Sequence, residues 1–95
     1  AVWEAEMALF MVSYDLHKQG QNYTCLTDKL NDYVTHWHLQ GSVWFIESES
    51  PAAVIAKALA ECLDANDKLV VVKLSRDAAL SGYGDDAAAW LDAHL

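Results

Sequence analysis

Three short runs in this chain are apolar at both of their alternating sets of positions, which doubles the surface that any fold must cover. In the run from Ala8 to Tyr14, Leu9 and Met11 alternate with Phe10 and Val12. Further on, Val43 and Phe45 alternate with Trp44 and Ile46, and Leu69 and Val71 with Val70 and Val72. Successive side chains of a β-strand point to opposite faces, so strands of this kind form a sheet with two apolar faces.

The segments between these runs supply the rest of an α+β order. Tyr23, Leu26, Leu30, Tyr33 and Val34 recur at helical spacing, which predicts a first helix from about Asn22, its cap, to about Val34. Trp37–Gln40, a turn at Gly41 and Ser42–Ser48 predict the second and third strands. Ser50-Pro51 opens a second helix, with Pro at its first position and the stripe Val54, Ile55, Ala58, Leu59, Cys62, Leu63, ending near Asp64. Lys68–Leu74 is the fourth strand, and Asp85 or Asp86 caps a short C-terminal helix carrying Trp90 and Leu91.

Strand, helix, strand, strand, helix, strand is the order of the ferredoxin-like βαββαβ arrangement, a four-stranded antiparallel sheet with both helices on one face. Two helices then leave the other apolar face bare, beyond the few hundred Å² that soluble monomers expose. A sheet-to-sheet homodimer is the expected cover, with the segment carrying Trp90 and Leu91 as the alternative.

Charge limits the partners. Fourteen Asp and Glu against six Lys and Arg give a formal net charge of −8. Nonspecific nucleic-acid binding depends on neutralising phosphates, so this balance argues against a generic nucleic-acid binder. The cations Lys18, Lys29, Lys57, Lys68, Lys73 and Arg76 are scattered, so a phosphate contact calls for a divalent ion. Hydrophobic residues make up 54% of the chain, too many for a disordered segment, while charges interrupt them too often for a membrane span.

Residues 7–95 are read as one domain and Ala1–Glu6 as an upstream extension that lacks the basic region and apolar core of a signal peptide. The expected location is the cytoplasm. Cys25 and Cys62 show neither a zinc spacing nor Cys-x-x-Cys, so both are expected as reduced core or near-core residues.

The first apolar run ends at Tyr14-Asp15, before the polar stretch Leu16-His17-Lys18-Gln19-Gly20-Gln21-Asn22. A carboxylate at the tip of a buried strand is rigidly held yet open to solvent, the placement that a metal or phosphate site needs. Tyr14-Asp15-Leu16, Gly20-Gln21, Tyr23 and Gln40-Gly41-Ser42-Val43-Trp44-Phe45 resemble the small CRISPR-adaptation endonucleases of ferredoxin-like fold, and more closely their SinR-like branch. The resemblance extends to Asp67 and the strand after it, and covers most of residues 7–95.

The resemblance implies a homodimer in which the two Asp15 residues face each other across the two-fold axis and share Mg²⁺ or Mn²⁺ for hydrolysis of RNA or DNA phosphodiesters. Mg²⁺ typically takes one or two carboxylates, several waters and substrate phosphate oxygens. His17, two residues on, is the candidate general base or phosphate contact, and Ser42 the candidate assisting hydroxyl.

Plainer readings compete at each position. Asp15 can cap its loop as an Asx turn, His17 can be solvated, and Ser42 can satisfy backbone groups. His36 and His38 share one side of a strand, as metal ligands or as edge-strand surface residues; Trp44 and Phe45 stack on bases or pack the core and dimer face. The alternative to an enzyme is a non-catalytic homodimeric module that keeps the fold and binds a protein partner.

Overall fold

A computed structural model describes residues 7–17 and 23–95. Its elements are β1 (Ala8–Asp15), α1 (Tyr23–Asn31), β2 (His36–Gln40), β3 (Val43–Ser48), α2 (Ala52–Ala60), β4 (Lys68–Lys73) and α3 (Asp85–His94). The strands form one sheet in the order β2-β3-β1-β4, and each neighbouring pair is antiparallel. It follows that β1 and β2 run parallel with β3 between them, and β3 and β4 run parallel with β1 between them. No helix among the described residues is long and apolar enough to cross a membrane.

Alternation along β1 sorts its side chains between two cores. Phe10, Val12 and Tyr14 face the side shared with Trp44 and Ile46, where Leu26 and Leu30 of α1 and Ile55 and Leu59 of α2 close over them. Leu26 and Leu30, like Ile55 and Leu59, stand four residues apart and so lie on one stripe of their helix. Trp44, Leu26, Leu30, Ile46, Ile55, Leu59 and Val12 are fully buried, and each large aliphatic side chain among them contributes about 1.5–3 kcal/mol. At the rim, Lys29 Nζ donates to Glu61 Oε1 and to Ala58 O, both at 2.9 Å, tying α1 to the end of α2. The Lys29 ammonium holds the Glu61 carboxyl below its ordinary pKa through that bond.

The opposite face is covered from within the same chain. Leu9, Phe45 and Leu91 are buried there, with Met11, Trp37, Leu39, Leu74, Ala78, Leu80, Trp90 and Leu95 packed against them. Trp90 stacks on Phe45 with ring centroids 6.0 Å apart and meets Trp37 at 5.8 Å. The connection from β4 to α3 reaches the far end of β2, where the Tyr83 hydroxyl donates to the Gln40 side-chain oxygen. This intrachain cover is the alternative weighed for the second face, and it buries Phe45 under Trp90. On that face, Val70 and Val72 remain 48% and 37% exposed.

Several boundaries differ from the expected ones. α1 ends at Asn31 rather than Val34, because the amides of Asp32 and Tyr33 bond back in a tightening turn, to Asp28 and Lys29 and to Leu30, and Val34 is left in solvent. β2 starts one residue earlier than expected, at His36, and β3 one residue later, at Val43, with Gly41 and Ser42 forming the turn. α2 ends at Ala60, with Pro51 as the residue before its first turn, and Cys62 and Leu63 continue in turns that bond to Leu59 and Ala60. β4 stops at Lys73, one residue short of the expected end. Gly84 caps α3, and Asp85 and Asp86 occupy its first turn, where the helix dipole favours negative charge. The expected Asn22 cap, the Gly20-Gln21 loop and residues 1–6 lie outside the described residues.

The two cysteines correct a further expectation. Cys25 and Cys62 form a disulfide with their Cα atoms 5.7 Å apart. They share no short motif because the pairing brings α1 against the turn that follows α2 on one sheet face. Disulfides persist in oxidising surroundings, which removes the support that a reduced pair would give to a cytoplasmic location. At a sequence separation of 37, the crosslink should contribute about 4 kcal/mol by restricting the unfolded chain. The double variant Cys25→Ala/Cys62→Ala is expected to lose most of that in urea unfolding, and a reductant should lower the native chain's midpoint alike; a midpoint indifferent to reductant would show that the bond does not form.

Candidate functional site at the Asp15 end of the sheet

Tyr14 fixes the end of β1. Its buried hydroxyl donates to Gly41 O at 3.2 Å and accepts from Trp44 Nε1 at 3.3 Å, while its amide donates to Ser42 O at 3.1 Å. Burial pushes the phenol pKa up, the Trp44 bond opposes it, and Tyr23, with its ring 6.1 Å away, adds to the rise. Tyr14 is therefore a neutral anchor that clamps β1 to the turn between β2 and β3. One residue beyond it, Asp15 stands exposed.

The chain after Asp15 is held by a second clamp. Leu16 turns back into the core, and the His17 amide donates to Asp67 Oδ1 at 2.7 Å. The other Asp67 oxygen accepts the Asp64 amide at 2.8 Å. One carboxylate thus joins the exit of β1 to the turn before β4. The two amides, Asp64's first and His17's second, hold the Asp67 carboxyl below its ordinary pKa.

The three expected site residues lie at this same end of the sheet. Asp15 and the His17 side chain are exposed, whereas Ser42 is half-buried and its main-chain carbonyl is the group that engages Tyr14. Among the described residues no hydrogen bond links their side chains, and no three His, Cys, Asp or Glu side chains group as a metal site. Asp15 on its own offers one carboxylate, so a metal needs further ligands from water, substrate or a second chain.

Lys68 is a residue that sequence reasoning missed at this site. It lies opposite Asp15 in the β1–β4 ladder and lines a shallow cleft of about 180 Å³ with Ser13, Tyr14, Asp15, Leu69 and Val70. The signal was present: in an antiparallel pair, the first residue of the incoming strand meets the last residue of the outgoing one. Trp44 and Phe45 are both buried, so neither ring is open to a nucleobase.

Compared with known proteins, this chain matches no family model, no curated protein and no solved structure.

A group whose pKa is lowered on folding adds stability above its unfolded pKa, and that contribution is lost as pH falls through the folded one. For Asp67 the loss falls in the acid range, below the ordinary aspartate value. Thermal unfolding followed from about pH 5 down to about pH 2 should show a shallower acid decline for Asp67→Asn than for the native chain. Faster hydrogen exchange at the His17 amide should accompany it; identical acid profiles would remove Asp67 as the clamp.

Proposed function

We propose that this chain acts as a homodimeric, divalent-metal-dependent endonuclease on RNA or DNA, built on a ferredoxin-like fold, with Asp15 of each protomer at the dimer axis. The observation that carries the reading is the position of Asp15: an exposed carboxylate on the tip of a central strand whose preceding residue is clamped on both sides. The sheet order β2-β3-β1-β4, with α1 and α2 each crossing between two parallel strands, supports the ferredoxin-like assignment.

The dimer has support on the same face. Val70 and Val72 leave an uncovered apolar strip beside the Asp15 cleft, and a two-fold contact over this strip would bring two Asp15 carboxylates together. Two carboxylates with waters match the usual protein share of a Mg²⁺ or Mn²⁺ shell, so the residues fit the ion once paired. Such an ion would polarise a phosphodiester and orient its attacking water. Lys68 across from Asp15 would offset part of the repulsion between the acidic chain and phosphate, and the exposed His17 imidazole would serve as the proton acceptor.

A second reading has its own observation. β4 is an edge strand with Val70 and Val72 exposed between Lys68 and Lys73, a surface on which a partner's extended segment can add as a fifth strand. Together with the net charge of −8, this favours a non-catalytic module that binds a protein.

Cleavage of labelled RNA and DNA panels with Mg²⁺, Mn²⁺ or chelator, at equal and verified dimer concentration, separates the two. The nuclease reading expects metal-dependent cutting that Asp15→Asn reduces by more than about 100-fold, with a smaller loss for Lys68→Ala. Folded native dimers that cut nothing, or an Asp15→Asn protein as active as the native one, would overturn it.

A further inference from the structure

The strongest unassigned feature lies away from Asp15, on the sheet edge formed by β2. His36 and His38 both project on the side of the sheet that carries Trp44. The His38 ring stacks on Trp44 at 4.0 Å between centroids, and the His36 ring lies 5.9 Å from it. Trp37, between them, points to the other face and packs against Trp90. The two imidazoles share a groove of about 400 Å³ with Thr27 and Asn31 of α1, and α1 stops short of covering it.

The hydrogen bonds fix the chemistry of each ring. His36 Nδ1 lies 2.7 Å from Tyr33 O, and His38 Nε2 lies 3.1 Å from Gly41 O. A carbonyl oxygen only accepts, so the nitrogen facing it carries the hydrogen and, in the neutral ring, the other nitrogen keeps a lone pair. Tyr33 precedes β2 and Gly41 follows it. The two N–H groups are therefore drawn to opposite ends of the strand, and His36 Nε2 and His38 Nδ1 are the nitrogens that keep a lone pair.

We propose that His36 and His38 form a binding site for a late first-row divalent ion such as Cu²⁺, Zn²⁺ or Ni²⁺. Neutral imidazole suits these ions, and a histidine ligand ordinarily gives its other N–H to a carbonyl or carboxylate, which sets the tautomer and orients the ring. Both histidines already make that outer bond within the protein. Their spacing on alternate residues of a strand places both nitrogens on one side of the backbone. Thr27 and Asn31 line the same groove, so a hydroxyl or amide oxygen from them, with water, would supply the remaining donors. Hard Mg²⁺, which prefers oxygen, is excluded by the nitrogen pair. This site is independent of Asp15 and of any nuclease activity.

Calorimetric titration of metal-stripped, tag-free protein with Cu²⁺, Zn²⁺, Ni²⁺ and Mg²⁺ tests it, with tryptophan fluorescence recorded in parallel. The expected result is saturable binding of one transition ion per chain at this groove, tightest for Cu²⁺, not displaced by Mg²⁺, and with Cu²⁺ quenching emission through the adjacent Trp44. His36→Gln and His38→Gln, each checked for an unchanged melting profile, should weaken binding by more than about tenfold. His94→Gln, on the stacked Trp90–His94 pair, and Asp15→Asn should leave it unchanged. Absence of saturable transition-ion binding, its displacement by Mg²⁺, or affinity indifferent to both His36→Gln and His38→Gln would overturn the proposal.

Discussion

The structure depends on the burial of β1 from both sides. Phe10, Val12 and Tyr14 require one cover and Leu9 requires another, and no arrangement of a single helix layer provides both. The helices α1 and α2 meet the first demand. The second is met by the connection after β4 and by α3, so the chain becomes a three-layer object with the sheet in the middle. The first and last of the described elements thereby meet, β1 through Leu9 and α3 through Leu91 and Trp90.

That central position also makes the end of β1 a well-defined place. A strand braced by ladders to β3 and β4 cannot shift its register without moving every side chain to the wrong face. The Tyr14 hydroxyl, with bonds to Gly41 O and from Trp44 Nε1, adds a lateral fix. Asp15 thus combines solvent exposure with a rigid backbone, a combination more useful for holding a ligand than a carboxylate on a long loop would be.

Much of this was legible in the sequence. The four strands and three helices follow from short apolar runs and from the four-residue spacing of Leu26 with Leu30 and Ile55 with Leu59. Helix ends were less legible: Val34 continues the apolar pattern of α1, yet it lies in solvent because the turn after Asn31 redirects the chain. The Cys25–Cys62 bond was invisible because it depends on how α1 sits against the turn after α2, which no spacing within either segment encodes. At the site, Asp15 was legible from the break in hydrophobicity, whereas Lys68 becomes its neighbour only through strand pairing. The Asp67 clamp joins the exit of β1 to the turn before β4, and neither segment alone hints at it.

The position of α3 has a consequence for how the molecule comes together. Its Leu91 and Trp90 cover Leu9 and Phe45, so the partners in this second core are separated by most of the described chain. Contacts this remote in sequence form slowly, since a long loop must close before they contribute. During synthesis the sheet emerges from the ribosome before α3 exists, and until then Leu9 and Phe45 lie open along a surface whose edge carries Val70 and Val72. The lysines at either end of β4, Lys68 and Lys73, bracket that nascent edge with like charge, which disfavours its pairing with a second nascent copy of this chain in the interval.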